Sequence, residues 1–363
     1  DFEKSKRRRL FSRIATGDWD IVIVPHSSFG FVGISKERET AYIEQEIKEL
    51  QEAIRIAEQE DDSGGWGKPQ SVKDGERQLE RLNERMKKIN DQKRDSLLTF
   101  EQLGVDDLTV DEAHEFKNLR YFTKLTKVLG LGDKAGSKKA NDLYNKVRTL
   151  RESPRGSTVF MTGTPISNSI VEMYTVMRYL AAADLAEYGI ERFDSWHKQF
   201  AEAESKFELN DANQLAEKTR LSRWGNMPEL MKLYYSFTDA VSLDDIKRIH
   251  KEDTGRDFPV PRVKGGGRRN VIVQPTDAQM QILQSVVRDF NGLKAIKDHK
   301  ERNAERLRLM DRARKVSLDA RAVDPSLPTD EKGGKLDVVS GEIARIYHEW
   351  QSDKGAQLVF LDR

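Results

Sequence analysis

Two stretches set the fold of this chain: LTVDEAHEFKN at residues 108–118 and TVFMTGTPISNS at residues 158–169. Each begins as a short apolar run and ends in polar residues, with Gly and Pro in the second. Such runs are typical of buried parallel strands, each of which delivers a loop at its carboxyl end. Long helical patterns lie between runs of this kind, so the sequence predicts the α/β class.

Three further runs have the same form and are predicted to be buried strands: DIVIVPHSS (20–28), VIVQPT (271–276) and QLVFLDR (357–363). We predict that helix occupies almost all of residues 170–250, and that residues 276–322 and 334–350 are helical as well. Within the first of these helical regions, Phe193 and Trp196 are predicted to be core residues and not platforms for stacked bases.

Residues 37–95 carry two highly charged segments on either side of DDSGGWGKP (61–69). Apolar residues recur in both at steps of three and four, which is heptad spacing: Ile43, Ile47, Leu50, Ile54 and Ala57, then Leu79, Leu82, Met86 and Ile89. Because the Gly-rich break lets the chain reverse, we predict an antiparallel coiled-coil hairpin. We interpret it as a spacer or solvated projection in preference to an arm that binds a partner.

A linker is indicated by the prolines, glycines and basic residues of FPVPRVKGGGRRN at 258–270, which precede a predicted strand. The sequence therefore predicts three parts. Residues 1–185 form part of a first α/β lobe that holds the hairpin as an insertion, residues 186–257 form a helical subdomain, and residues 258–363 form the linker and the beginning of a second lobe.

The chain has 363 residues, with 62 Lys and Arg against 61 Asp and Glu, and no Cys. This charge balance means that any nucleic-acid surface must be local. The lack of Cys excludes a disulfide scaffold, a zinc knuckle and a thiolate nucleophile, and fits a cytoplasmic location. No apolar run reaches the ~18 residues of a membrane span. The opening DFEKSKRRRL has neither Met nor a signal core, so we interpret the chain as cut out of a longer protein.

Asp111, Glu112 and His114 stand at the carboxyl end of the first predicted strand. There, Asp111 can hold Mg²⁺ through water, and Glu112 can polarise the water that attacks a γ-phosphate. A strand end gives both carboxylates a fixed direction. Taken alone, an acidic pair followed by His is also common at exposed helix starts, where Asp caps backbone N–H groups.

Thr162, Gly163 and Thr164 follow the second predicted strand. Hydroxyls on a tight Gly turn can couple the state of a bound nucleotide to a facing lobe, with His114 in the same relay. The simpler interpretation is a polar turn that Pro165 ends. We favour the coupling role because two strand-end motifs in this order are hard to obtain by chance.

With these residues in place, VDEAHEFKN (110–118) resembles motif II of the Swi/Snf-type ATPases of helicase superfamily two. In that family a Lys-Asn pair, here Lys117 and Asn118, shortly follows the acidic box. FMTGTPISNSIVEMYTVMRYL (160–180) resembles their motif III and the helix after it. The resemblance covers nearly the whole chain outside the hairpin, and it extends to DIVIVPHSSF (20–29), VIVQPTDAQMQIL (271–283) and GGKLDVVSGEI (333–343).

This resemblance implies two RecA-like lobes with parallel sheets, both partial here, and the cofactors ATP and Mg²⁺ bound at Asp111 and Glu112. It also implies double-stranded DNA as a partner, with His26, Ser27 and Asn118 on the DNA side. In sequence style the chain is closest to very large phage and mobile-element proteins that join such a helicase to an adenine-specific DNA methylase. A methylase domain in the parent chain, and a role in DNA modification or anti-restriction, would follow.

The sequence departs from the family in lacking a G-x-x-x-x-G-K-[ST] phosphate loop, whose backbone amides and Lys cradle the phosphates. The arginine-bearing motif VI is also not found. We therefore expect the chain to be the middle of a helicase core, with motif I upstream and motifs V and VI beyond Arg363. By itself it should hydrolyse ATP slowly or not at all.

Three basic stretches are candidates for phosphate contact: Lys4 to Arg9, Lys264 to Arg269, and the helix from Arg302 to Arg314. Arg268 and Arg269 of the Gly-Arg loop are the favoured pair. The other two stretches are interpreted first as solvated faces.

The predicted function is the central part of an ATP-dependent translocase or helicase on double-stranded DNA. One alternative is a non-catalytic DNA-binding or scaffolding module on the same fold, which the flanking sequence of the gene would distinguish. An RNA helicase is a second alternative. The Lys-Asn pair after the acidic box and the predicted long helical region after TGTP argue against it.

Overall fold

The computed structural model describes residues 4–59, 68–91, 98–126, 128–167, 169–209, 215–260, 267, 269–328 and 333–360. In these ranges the strands are β1 (Asp107–Val110), β2 (Val128–Leu129), β3 (Ser157–Phe160), β4 (Ala201–Leu209) and β5 (Leu215–Trp224). The helices up to β3 are α1 (Lys4–Thr16), α2 (His26–Phe29), α3 (Lys36–Gln59), α4 (Gln70–Asp91) and α5 (Lys138–Arg151). The later helices are α6 (Val171–Leu180), α7 (Ala182–Glu187), α8 (Phe193–Phe200), α9 (Met227–Phe237), α10 (Leu243–Thr254), α11 (Asp277–Gly292), α12 (His299–Leu318) and α13 (Lys335–Glu349). Helices and parallel strand pairs occur together, which confirms the α/β class.

The chain divides into two compact units. The first holds residues 1–206 and 218–240, and the second holds residues 207–217 and 241–363. The predicted division at residues 185 and 257 into partial RecA-like lobes and a helical subdomain stays a prediction.

The two stretches that set the fold form a β-α-β arrangement in the first unit. β1 and β3 pair in parallel, with Asp107 opposite Ser157 and Val110 opposite Phe160. Between them lies α5, and Ser137, the residue just before it, caps the helix by accepting a hydrogen bond from the Ala140 N–H with its side chain. The helix covers one face of the strand pair through a core cluster of Val110, Ala113, Phe116, Leu119, Ala140, Leu143, Val147 and Tyr179.

The predicted hairpin forms as two long helices, α3 and α4. Their heptad residues meet in one core cluster that includes Ile43, Leu50, Ile54, Leu82 and Ile89. The helices run antiparallel, because Glu39 at the start of α3 pairs with Arg85 near the end of α4 at 2.9 Å. At the other end, a Cβ on Gly75 would lie 2.7 Å from Ile54 and 2.8 Å from Phe122. Gly75 is therefore the residue that allows close packing there.

The prediction of helix across residues 170–250 is wrong at residues 201–209 and 215–224, where β4 and β5 form. The order of this second sheet is β2-β5-β4, and Val128 of β2 pairs in parallel with Thr219 of β5. The Ser205 and Thr219 hydroxyls meet across β4 and β5 at 2.8 Å. Helix-favouring Ala, Glu and Lys residues fill these strands, so pairing has overridden local propensity.

Three of the predicted buried strands do not form in the described residues. Residues 20–25 are irregular, with Ile21 80% and Ile23 92% exposed. Residues 271–276 and 357–360 are also irregular and carry exposed apolar side chains, and residues 361–363 lie outside the described ranges. A strand requires a neighbour to satisfy its N–H and C=O groups. None of these segments is paired within the described residues.

An aromatic cluster forms the main core of the first unit. Trp196 is fully buried and its indole N–H lies 3.3 Å from the sulfur of Met177. Phe193 stacks on it with ring centroids 6.1 Å apart. Both residues are core anchors, as predicted.

In the second unit, α11 and α12 pack together around Val286, Leu309 and Val316. The α11 N-terminus has a capping box between Thr276 and Gln279. The buried Gln279 amide also donates to the Val316 carbonyl at 2.7 Å. These helices and α13 agree with the helical predictions for residues 276–322 and 334–350. None of the described helices is both long and apolar enough to span a membrane.

Candidate functional site

The adjacent ends of β1 and β3 bring the DEAH and TGTP segments together. The Met161 N–H donates to the Val110 carbonyl at 2.9 Å, and the Ala113 N–H donates to the Met161 carbonyl at 3.0 Å. These bonds extend the hydrogen bonding between β1 and β3 just beyond the last paired residues. The two parallel strands therefore end side by side. The polar residues that follow each strand are therefore neighbours.

Asp111 and Glu112 lie at the tip of β1 with exposed side chains. The Glu112 backbone is in the left-handed region, with φ 48° and ψ 45°, which is uncommon for a residue other than Gly. Its N–H donates to a carboxylate oxygen of Asp111 at 2.9 Å. Ala113 and Phe116 are buried just after it and anchor a 3-10 turn. This sharp turn leaves both acids directed away from the core.

His114 connects this turn to the TGTP segment. Its Nδ1 lies 3.0 Å from the Thr162 hydroxyl oxygen and 3.2 Å from a carboxylate oxygen of Glu112. The Thr162 hydroxyl also accepts the Thr164 N–H at 3.1 Å. The imidazole is therefore in contact with both segments, and a proton on Nδ1 can be donated to either oxygen. Gly163 and Thr164 are exposed on the same turn.

A second connection between the two segments was not predicted from the sequence. Lys117 lies 3.0 Å from a carboxylate oxygen of Glu172, which is 8% exposed, and also donates to the Ser167 hydroxyl. The Ser167 N–H donates to Glu172 at 2.6 Å. Lys117 stands in the DEAH segment, whereas Ser167 and Glu172 follow TGTP. The sequence shows only that a Lys, a Ser and a Glu stand near the two motifs. Residue types alone do not indicate that these three side chains meet.

Two predicted DNA-side residues lie beside the acidic turn. His26, exposed at the start of α2, packs its ring edge against Phe116 with centroids 5.0 Å apart. Ser27 is its exposed neighbour. Asn118 is also exposed, and its carbonyl accepts the Ser137 N–H at 2.7 Å. His26 is thus in direct contact with the DEAH segment, and Asn118 is held by its backbone.

The predicted phosphate contacts in the Gly-Arg loop belong to the second unit. Arg268 lies outside the described residues. Arg269 is 65% exposed at its side chain and pairs with Glu342 at 2.8 Å. This pair leaves part of the guanidinium accessible, so phosphate contact at Arg269 stays a prediction.

Gly136 lies in the loop between the DEAH segment and α5, where it packs closely against the backbone of residues 118–120. Its φ is 69°, and a Cβ there would overlap the backbone nitrogen of Arg120 and lie 2.8 Å from the Asn118 carbonyl oxygen. Both the backbone conformation and the available space therefore require Gly.

We expect Gly136→Ala to lower the free energy of unfolding by roughly 1–3 kcal/mol more than Gly132→Ala. Gly132 is a matched control in the same loop, because its φ is 68° but nothing lies within 4 Å of its added Cβ. The difference between the two variants isolates the backbone clash. Urea unfolding of both would measure it, and equal losses would contradict the close approach.

The carboxylates fit a magnesium-nucleotide complex. Mg²⁺ commonly takes one or two protein carboxylates and completes its shell with water and phosphate oxygens. Asp111 has no ion pair within the described ranges and faces solvent, so it can accept such a ligand. A neighbouring acid, Glu115, serves a different purpose: a hydrogen bond from Lys139 lowers its pKa. A cavity of about 430 Å³ lies elsewhere, between α3 and α8, and none of the predicted site residues lines it.

Comparison with known proteins gives two matches. Residues 1–242 match a family described as "Probable helicase domain". The chain is also 22% identical over 151 residues to "Defense against restriction protein B" of Escherichia phage P1, which covers 41% of this chain and 7% of that protein. This chain thus aligns with only a small part of that relative's length. No solved structure matches.

Proposed function

The chain belongs to the probable helicase domain family, and on that premise we propose that it is the central part of an ATP-dependent translocase or helicase acting on double-stranded DNA. One observation carries the proposal. The DEAH and TGTP segments leave adjacent parallel strands and meet through the 3.0 Å contact of His114 with Thr162. Acids that hold a nucleotide and hydroxyls that respond to it would then lie on the same edge.

Each residue has a role in this proposal. Asp111 would hold Mg²⁺ through water, and Glu112 would polarise the attacking water. Mg²⁺ bound with ATP would supply charge neutralisation at the phosphates. His114, Thr162 and Thr164 would pass a change at the acids to the TGTP turn, for which His114 already contacts Glu112 and Thr162. The pair of the half-buried Lys117 with the buried Glu172 would keep the two segments in register.

The resemblance to Swi/Snf-type ATPases supports double-stranded DNA as the partner. Of the two sequence arguments against an RNA helicase, the Lys-Asn pair after the acidic box remains. The argument from a long helical region after TGTP is weakened, because β4 and β5 interrupt it. The direct way to distinguish double-stranded DNA from RNA as the partner is therefore to compare how strongly each stimulates ATP hydrolysis.

The wider role that we propose is anti-restriction or DNA modification in a phage or mobile element, with a methylase domain in the same parent chain. The printed name of the phage P1 relative, "Defense against restriction protein B", supports it. The competing proposal is a non-catalytic DNA-binding or scaffolding module. The flanking sequence of the gene would distinguish the two, because a G-x-x-x-x-G-K-[ST] loop upstream and an arginine-bearing motif downstream would favour the enzyme.

ATP hydrolysis by the protein encoded by the complete reading frame would test the proposal. We expect duplex DNA to stimulate the rate, and single- or double-stranded RNA to stimulate it less. The 363-residue chain assayed alone should stay at background, because its sequence has no phosphate loop to hold the nucleotide.

Two results would contradict this account. DNA binding without any ATP hydrolysis by the complete protein would favour the scaffolding module. Turnover by the 363-residue chain that Asp111→Asn abolishes would show that the chain needs no further phosphate cradle.

A further inference from the structure

Helix α1 concentrates positive charge in a chain whose positive and negative charges nearly balance. Its sequence, KSKRRRLFSRIAT, has six cations and no acid, whereas the whole chain has a net charge of +1. Cations in the first turn oppose the positive end of the helix dipole. Like charges four residues apart, such as Arg9 and Arg13, also repel each other. The charges of α1 therefore do not serve the stability of the helix itself.

The helix is nevertheless held firmly on the first unit. Phe11 is 2% exposed and belongs to a core cluster with Val32, Ile34, Tyr42, Phe100 and Leu150. The Arg7 guanidinium lies over the Phe31 ring at 4.4 Å. At the end of the helix, the Trp19 indole N–H donates to the Arg13 carbonyl at 2.9 Å. Gly17 permits this contact, because a Cβ there would overlap the indole.

Anchoring through Phe11 leaves the opposite face of α1 open. Arg9 and Arg13 lie four residues apart on it, and both are exposed. Neither has an acidic partner among residues 4–59, 68–91 or the other described ranges. A fixed helix with two unpaired guanidinium groups on one exposed face can bind a repeating anion without first ordering itself.

We propose that the Arg9–Arg13 face of α1 binds the phosphate backbone of duplex DNA. Charge complementarity favours this ligand, because guanidinium groups suit phosphate and the helix presents no apolar side chain on that face. Phe11 faces the core, with Leu10 and Ile14 partly buried beside it, so the helix itself has no apolar edge to insert into a lipid surface. The inference rests on the proposed function, because it identifies where that DNA is held.

The contact has a measurable electrostatic signature. Each neutralised phosphate contributes about 0.9 to the slope of log K against log salt concentration for duplex DNA. Removing both guanidinium groups should therefore reduce the slope by about 1.8. The loss should not depend on DNA sequence, since backbone contacts carry no sequence information.

The test is fluorescence anisotropy of labelled duplex DNA with the 363-residue chain, without nucleotide, over a range of salt concentrations. For Arg9→Gln/Arg13→Gln we expect Kd to rise roughly 60-fold at 100 mM salt and the slope to fall by about 1.8. The matched control is Arg81→Gln/Lys88→Gln, which removes the same charge from exposed positions of α4. It should leave Kd and slope nearly unchanged. Circular dichroism melting should show all three proteins folded.

Each outcome has a defined meaning. Unchanged binding in the α1 variant, or equal loss in the α4 control, would overturn the inference while leaving the proposed function intact. A wild-type chain that does not bind duplex DNA at all would count against both. Vesicles of anionic phosphatidylserine provide the last arm of the test. If the wild type binds these vesicles, and the α1 variant loses vesicle binding but keeps DNA binding, the DNA assignment would be overturned.

Discussion

Replacing Glu112 with Gln is expected to lower the DNA-stimulated rate of ATP hydrolysis by the complete protein at least about 10²-fold, the usual contribution of a positioned general base. The amide keeps the size of the side chain but cannot draw a proton from water. Glu112 stands at the tip of β1, exposed, in a left-handed conformation that the buried Ala113 and Phe116 hold in place. Its direction should survive the substitution, so the loss should appear in kcat.

The chain offers a close control for this experiment. Glu115→Gln makes the same chemical change three residues away, at an exposed acid that pairs with Lys139 on the surface. Exposed pairs of this kind contribute little to stability. We expect kcat of Glu115→Gln to match the wild type. Equal losses in the two variants would mean that the acidic turn acts through charge alone, and not through a base at Glu112.

Replacing Asp142 with Ala is expected to lower the free energy of unfolding by roughly 3 kcal/mol, because it leaves the Lys146 ammonium buried without its counter-charge. Lys146 is completely buried on α5. Its Nζ contacts Asp142 at 2.6 Å and the Phe29 carbonyl at 2.9 Å, and lies 4.0 Å from the Phe29 ring centroid. This lysine thereby connects α5 to α2, the helix that carries His26 and Ser27.

The double variant Asp142→Ala/Lys146→Met distinguishes two causes of lost stability: an unpaired buried charge and the simple loss of side-chain contacts. Replacing both members of a buried ion pair with apolar groups is often nearly neutral. We expect the double variant to be more stable than Asp142→Ala alone, as measured by urea unfolding at neutral pH. A double variant as unstable as the single one would contradict the role of the buried charge.

The pH dependence of the same variant gives an independent check. Burial lowers the pKa of Lys146 below its ordinary value of 10.5, and Asp142 partly opposes the shift. Between the folded and unfolded pKa values the unfolded chain holds more protons, so stability rises with pH in that window. Loss of Asp142 lowers the folded pKa further and widens the window. The deficit of Asp142→Ala should therefore shrink as the pH rises toward 10.5, the ordinary pKa of a lysine.

The strands that carry the candidate site could be predicted because local and tertiary signals agreed. LTV and TVF are short apolar runs, and each ends in a polar loop. Parallel pairing then placed Asp111 and Thr162 at the same edge. The three runs that failed as strands, around Ile23, Ile272 and Leu358, have equally apolar sequences. An apolar run indicates that a segment favours an extended, buried conformation. It does not indicate which strand, if any, the segment pairs with.

The errors after residue 200 have the opposite cause. AEAESKFEL in β4 and LAEKTRLSRW in β5 favour helix by composition, since Ala, Glu, Lys and Leu are good helix formers. Pairing of β5 with β2, at Val128 and Leu129, decides their structure. The partner strand is ~90 residues away in sequence, a distance that no local pattern can register.

The buried Lys146 could have been found from the sequence. It stands three residues after Leu143 and four before Leu150, on the helix face that those residues bury. A Lys on such a stripe is rarely accommodated without a carboxylate, and Asp142 is four residues earlier. The Lys117–Glu172 link is different, because its partners come from separate elements and only the fold brings them together.

The claim that the β1 and β3 ends drive movement along double-stranded DNA is tested most directly by displacement of the third strand from a DNA triplex. The complete protein, given ATP and duplex DNA flanking the triplex, should displace the third strand. The Glu112→Gln protein should bind the same DNA but leave the third strand in place. Displacement by Glu112→Gln at the wild-type rate, or by wild type without ATP, would contradict the account.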